Sequence, residues 1–334
     1  MSRIAILGGG SWGTALAIVL SRARRKHDIS LWVHAPALAE SIRLERENRS
    51  YLPGHRLEAD VKVKSEIRDA ISGAQVLVGA IPTAYARAVY SAAAASVPPR
   101  SIFVSAAKGL EPATHKRMSE VVLEVFSGKS APRFAVLSGP SFAAEVAQGE
   151  PTAVVLASSD AALAGELQDE FAAPNFRVYT NQDVLGVELA GAMKNVIAIA
   201  AGVCQGLGLG SDPLAALITR GLAEMSRLAA ALGAEPETLT GLAGLGDLVL
   251  TCTGALSRNR QVGIELGSGR GLTEILGGMR MVAEGVGTTA ALLALAREAK
   301  VELPITQQVG AILHEGKPPR DAIRDIMERP QRPE

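Results

Sequence analysis

Apolar positions follow two regimes along this chain. From Arg3 to Thr180 they form short unbroken runs: Arg3 to Leu7, Ile29 to Val33, Gln75 to Ile81 (QVLVGAI), Ser101 to Ala106 (SIFVSA), Phe134 to Leu137, Thr152 to Ala157 and Phe176 to Thr180. Apolar runs without polar alternation, each followed by a loop and a helical stretch, are the pattern of strands buried on both faces of a mainly parallel sheet. From Val184 onward the strand pattern stops, and helical segments are expected at 184–204, 212–232, 257–267, 286–299 and 304–315. Asn181 to Asp183 supply an N-cap region for the first of these. The expected architecture is an α/β, Rossmann-type, doubly wound domain over 1–182 followed by an all-α domain over 183–334. The glycine-rich connections GLGLGS and GLAGLGD suit tight turns between packed helices. No internal repeat is visible, and the tail PQRPE is expected to fray.

Composition narrows the class without choosing a function. With 334 residues and 48% hydrophobic content, the chain can bury two cores. The 34 basic and 34 acidic residues balance, which gives no electrostatic reason for nucleic acid as a partner. Cys204 and Cys252 have neither metal-ligand spacing nor a disulfide framework and read as small buried hydrophobes in a reducing compartment. Three glycines break the N-terminal apolar run too early for a secretory signal, and Glu188 and Lys194 make the most apolar helix expensive to insert in a bilayer. A cytoplasmic protein with no membrane span is expected.

Chemistry enters at the strand ends. Gly8, Gly10 and Gly13 spell G-x-G-x-x-G between the first strand and the first helix, with Ser11 and Trp12 inside the motif. Such a loop allows a tight turn, close approach of a pyrophosphate to the backbone, and close helix–strand packing, with the phosphates at a positive helix end. The second strand ends in His34 and Ala35, where an NAD-selective fold carries a carboxylate for the ribose hydroxyls; without it, NADPH is expected to be accepted at least as well as NADH. Pro82, Lys108, Gly139 and Ser141 also follow strand ends, where ligands sit in open α/β sheets. Lys108 is either an ordinary surface lysine or a cation facing an anionic substrate.

In the helical half, VLGVELAGAMKNVIAIAAG reads as a core helix that nevertheless carries Lys194. Either the lysine snorkels its head to water, or its small neighbours Ala190, Gly191 and Ala198 leave room for a substrate beside a desolvated amine of lowered pKa. Asp247 follows a glycine turn, with Thr251 one turn on; it either satisfies helix-start N–H groups or takes part in chemistry. Ser257, Arg258, Asn259 and Arg260 open another helix, where N–H groups and a guanidinium together suit a phosphate.

Taken together, GGGSWGTALA, AAKGLEP, VLSGPSFAAEVAQGEPTA, ELAGAMKNVIAIAAG, ALITRGLAEMSRL, GLAGLGDLVLTCTGALSRNR, VAEGV and ELPIT resemble the bacterial NAD(P)-dependent glycerol-3-phosphate dehydrogenase family across essentially the whole chain. The resemblance implies reduction of dihydroxyacetone phosphate to sn-glycerol 3-phosphate with NADPH or NADH, a role in supplying phospholipid synthesis, and a homodimer. It implies Lys194 and Asp247 as catalytic residues, and Lys108, Gly139, Ser141, Ser257, Arg258 and Asn259 with them around the substrate. It further implies cofactor contacts from Ser11, Trp12, His34, Lys108, Ala143, Arg258, Val282 and Glu284. Ala35 departs from the polar or charged residue that relatives often carry there, which bears on the NADH to NADPH ratio. Two other readings are a β-hydroxyacid or 2-keto acid reductase of the same two-domain type, which the SRNR stretch opposes, and a non-catalytic dinucleotide sensor, which the presence of both Lys194 and Asp247 opposes.

Overall fold

A computed structural model describes residues 2–127 and 132–331. Its chain divides into two compact units, one made of residues 1–111 and 116–188, the other of 112–115 and 189–334.

The first unit contains strands β1 (Ser2–Leu7), β2 (His27–Trp32), β3 (Glu47–Asn48), β4 (Leu52–Arg56), β5 (Lys62–Lys64), β6 (Val76–Gly79), β7 (Ile102–Ser105), β8 (Arg133–Ser138), β9 (Thr152–Ala157) and β10 (Phe176–Asn181). Helices α1 (Ser11–Ser21), α2 (Pro36–Glu45), α3 (Ile67–Ile71), α4 (Thr83–Ala94), α5 (Met118–Val125), α6 (Ala143–Gln148) and α7 (Ala161–Phe171) lie between them. Eight strands form one sheet in the order β10-β9-β8-β7-β6-β1-β2-β5, while β3 and β4 make a separate ribbon. From β5 to β8 all pairs are parallel. The β8–β9 pair is antiparallel and β9–β10 parallel, so the last two strands run the other way. Antiparallel neighbours need no crossover back to the far edge, and the short loop holding α6 suffices as the link.

The unbroken apolar runs have the cause inferred from the sequence. Ile4, Ile6, Ile29, Leu31, Val76 and Val78 pack on one face with Leu16 and Leu20 of α1. Ala5, Leu7, Leu77 and Phe103 face the opposite side with Tyr90 of α4 and Val121 of α5. Each fully buried branched side chain contributes roughly 1.5–3 kcal/mol, so strands covered on both faces carry apolar residues at successive positions. The chain leaves β1 toward β2 and β5 on one side and returns to β6 on the other, so the strand order reverses beside β1. That reversal opens a crevice at the carboxyl ends of β1 and β6.

The second unit takes its share of α8 (Val184–Gly206) together with α9 (Ser211–Ala231), α10 (Pro236–Thr240), a π-helical turn (Leu242–Gly246), α11 (Asp247–Thr253), α12 (Arg258–Gly267), α13 (Leu272–Gly278), α14 (Glu284–Glu298), α15 (Pro304–Glu315) and α16 (Pro319–Met327). Asp183 caps α8, its Oδ1 accepting the Gly186 N–H at 2.7 Å. Among the described helices α8 is long and apolar enough to cross a membrane, and 83% of its apolar window is buried inside the protein. Of the tail expected to fray, 332–334 lie outside the described residues.

Candidate active site

In the first unit the glycine loop is built to hold something against its backbone. Gly8 has φ +122°, and a Cβ there would stand 2.4 Å from the Ala80 carbonyl oxygen of the neighbouring strand end. At Gly13 a Cβ would fall 1.9 Å from the Gly8 oxygen, so helix and loop touch backbone to backbone. Around Gly10, by contrast, a Cβ would meet nothing within 4 Å. The first and third glycines are therefore demanded by the fold itself, and the second leaves free space where a phosphate can approach. Among the described residues no side chain caps the N-terminus of α1, so its first N–H groups face that space with the positive end of the helix. These features fit the pyrophosphate of a dinucleotide.

The other first-unit candidates differ in what they present. Trp12 is half-buried against the core, and its backbone N–H belongs to the first turn of α1. His34 is exposed at the end of β2, its ring edge-on to Trp32 at 5.7 Å. Ala35 is the N-cap of α2, whose first turn contains no acidic residue. Lys108 follows β7, and its Nζ donates to the Gly139 carbonyl at 2.7 Å and to Ser141 Oγ at 3.4 Å. Ser141 Oγ donates to the same carbonyl at 2.9 Å. Lys108, Gly139 and Ser141 are thus one cluster beyond the ends of β7 and β8, and Ala143 opens α6 just after it.

In the second unit Lys194 is 5% exposed, which excludes a head snorkelled into open water. Its Nζ donates to Asp247 Oδ1 and to Thr251 Oγ1, both at 2.8 Å. Thr251 Oγ1 in turn donates to the Asp247 backbone carbonyl at 2.6 Å, which turns its lone pairs toward the lysine. Asp247 and Thr251 stand one turn apart on α11 and are 1% and 4% exposed. Burial disfavours the ammonium and the adjacent carboxylate favours it, so the charge is held by its partner rather than by water. Next to Thr251, burial pushes the Cys252 thiol up to about 12, which keeps it protonated and inert.

A second polar cluster lies beside it. Asn259 Nδ2 donates to Asn195 Oδ1 at 2.9 Å, and the Gly285 N–H donates to Asn259 Oδ1 at 2.9 Å, joining α8, α12 and α14. Ser257 caps α12 by accepting the Arg260 N–H at 3.2 Å. Arg258 donates to the Val282 carbonyl at 2.7 Å, just before Glu284 opens α14. Burial pushes the Arg258 guanidinium down from its ordinary value, with Glu284 opposing.

Two residues in these clusters escaped sequence reasoning. Asn195 stands beside Lys194 in the AMKN motif, where the helical pattern alone gives it no role. Asn48, fully buried against the glycine loop, lies in the charged segment RLERENRSYLPG, where nothing in the spacing marks it.

Comparison with known proteins gives the same picture over the whole length. Residues 3–164 match the model of the NAD-dependent glycerol-3-phosphate dehydrogenase N-terminus, and residues 183–324 match that of the C-terminus. Glycerol-3-phosphate dehydrogenase [NAD(P)+] of Koribacter versatilis is 54% identical over 99% of this chain and 98% of its own. That of Acidobacterium capsulatum is 53% identical over the full length of both. The crystal structure of glycerol-3-phosphate dehydrogenase from Coxiella burnetii superposes with a TM-score of 0.93 at 40% identity, covering 98% of this chain and 99% of that one. The chain belongs to the NAD-dependent glycerol-3-phosphate dehydrogenase family.

Proposed function

We propose that this protein catalyses the reversible, NAD(P)H-dependent reduction of dihydroxyacetone phosphate to sn-glycerol 3-phosphate. The observation that carries the reading is the buried Lys194–Asp247–Thr251 cluster in a chain that also holds an open glycine loop. Bound reduced nicotinamide supplies a hydride to C2 of the substrate. Lys194, as an ammonium, donates a hydrogen bond to the C2 carbonyl oxygen and passes its proton to the alkoxide that forms there. Asp247 and Thr251 hold the Nζ in place and keep the amine oriented once the proton has left. In the reverse direction the neutral amine removes the hydroxyl proton. Arg258 and the first turn of α12 bind the substrate phosphate, converting binding energy remote from C2 into orientation of the carbonyl. On the family assignment, Lys108, Gly139 and Ser141 take substrate-binding roles, and the glycine loop, His34, Ala143, Val282 and Glu284 cofactor-binding roles.

We infer further that the enzyme acts as a cytoplasmic homodimer feeding phospholipid synthesis. Free cysteines at 204 and 252 support a reducing compartment, and exposed Leu245, Val249 and Leu256 support a partner surface. The decisive assay is NADPH oxidation by the purified protein with dihydroxyacetone phosphate, compared with a 2-keto acid. Lys194→Ala is expected to abolish turnover while NADPH binding, followed by nicotinamide fluorescence, stays within about twofold of wild type. Substantial remaining kcat removes the lysine from the mechanism.

A further inference from the structure

The link between α2 and β5 carries the β3–β4 ribbon, and Asn48 at its start reaches into the glycine loop. The side chain is 0% exposed. Its Nδ2 donates to the Gly9 carbonyl at 2.9 Å and to Thr14 Oγ1 at 2.8 Å, while its Oδ1 accepts the Tyr51 N–H at 3.3 Å. We propose that Asn48 is a positioning residue for the cofactor, fixing the orientation of the Gly9–Gly10 peptide; this rests on the dinucleotide reading of the loop given above.

The argument is one of peptide geometry. In a planar trans peptide the carbonyl of one residue and the N–H of the next point in opposite directions. Drawing the Gly9 carbonyl onto Asn48 therefore turns the Gly10 N–H away from it, and among the described residues that N–H has no acceptor. The flank of Gly10 is also the open one. A peptide between two glycines meets little steric resistance to reversing. In the reversed orientation a carbonyl oxygen would replace the N–H on the phosphate side, and an anion would meet a partial negative charge. Asn48 removes that alternative before the cofactor arrives, so the orientation cost falls on folding rather than on binding. Its second contact, to Thr14, ties the same amide to the first turn of α1, which locks loop and helix start together. The task needs two N–H donors and one acceptor within a single short side chain, an inventory that asparagine has and an ionised aspartate lacks.

The test compares full-length wild type with Asn48→Ala and Asn48→Asp, reading NADPH dissociation constants by fluorescence, steady-state kinetics with dihydroxyacetone phosphate, and thermal unfolding. Both variants are expected to bind NADPH about tenfold more weakly, because the cost of orienting the Gly9–Gly10 peptide then falls on binding. At saturating NADPH, kcat and the KM for dihydroxyacetone phosphate are expected to stay within about twofold of wild type. The aspartate variant adds a pH signature: a buried carboxyl titrates upward, and once protonated it can again donate to the Gly9 carbonyl. Its penalty relative to wild type is expected to shrink between about pH 8 and about pH 6, while that of the alanine variant stays flat. Folded variants with unchanged NADPH affinity overturn the proposal, and so does loss of folding in both, which would make the amide a core requirement. A wild-type protein that neither binds NADPH nor reduces dihydroxyacetone phosphate would overturn the functional reading instead.

Discussion

At the scale of single residues, the contacts of Lys194 differ in kind and should differ in consequence. The bond to Asp247 joins two charges in a buried setting, whereas the bond to Thr251 joins a charge to a neutral hydroxyl. Removing one member of a buried ion pair leaves the other uncompensated, at a cost of about 3–5 kcal/mol. Losing a neutral hydrogen-bond partner of a charge costs less, about 1.5–3 kcal/mol. Asp247→Asn is therefore expected to lower kcat by about a hundredfold or more and to destabilise the fold by about 3 kcal/mol. Thr251→Val should cost about tenfold in kcat with a smaller change in stability. Steady-state kinetics and urea titration of the two variants check this, and equal losses would mean that the charge of Asp247 is not what matters. The pairing of Lys194 with Asp247 shows where sequence reasoning stops. Fifty-three positions separate the two residues, and no periodicity links them; the link came with the family resemblance. Asn48 illustrates the same limit, because its partners lie 39 and 34 positions away on another element. The glycine loop was legible because its three glycines, the strand before them and the helix after them are contiguous.

At the scale of elements, α8 and α12 meet backbone to backbone. A Cβ at Gly202 would stand 2.0 Å from the Arg260 carbonyl oxygen, and one at Gly263 would stand 2.0 Å from that of Ile199. Gly206 and Gly267 repeat the arrangement one turn further. Glycine in a helix interior ordinarily costs about 1 kcal/mol relative to alanine, so Gly202→Ala would stabilise α8 if propensity decided. The obstructing atoms are backbone, however, and overpacking of that kind costs about 1–3 kcal/mol with the crossing displaced. We expect Gly202→Ala to be net destabilising and to lower kcat, since α8 also carries Lys194. Gly165 within α7 is the control: a Cβ there meets nothing within 4 Å, so Gly165→Ala should raise stability by about 0.5–1 kcal/mol. Thermal unfolding of both variants checks the pair, and a shift of the same sign in each would show that close packing does not set the outcome. Patterning foresaw α8 and α12 but neither the reversal of β9 and β10 nor elements such as α16. Apolar runs carry no strand direction, whereas Ala322, Ile323, Ile326 and Met327 do recur at helical spacing in α16, a signal confined to a helix of nine residues.

For the whole molecule, equal numbers of acidic and basic residues leave no large net charge near neutrality. The response to pH then rests on individual carboxyls, which fall into two classes. Exposed Asp160, Glu124 and Asp325 and half-buried Glu265 are held below their ordinary values by hydrogen bonds and cationic neighbours, and what they add is lost only as pH falls through that acidic range. Glu224 belongs to the other class. Buried in α9, it accepts the N–H groups of Ile305 at 2.5 Å and Thr306 at 3.2 Å together with the Thr306 hydroxyl, capping α15. Burial outweighs these donors and Arg227, and pushes its carboxyl up from 4.5. A raised acid binds its proton more tightly folded than unfolded. Its contribution is complete below the unfolded value near 4.5 and is lost as pH rises through the folded value. Glutamine mimics the protonated acid and cannot titrate; any mismatch between its amide and the α15 N–H groups is a constant. The stability of wild type relative to Glu224→Gln should therefore decline as pH rises from about 4.5 toward neutrality and be flat below it. Urea unfolding of both proteins across that range measures the difference directly. A difference that stays constant, or grows in favour of wild type with rising pH, would show that the three donors outweigh burial and that the carboxylate is the form the fold prefers.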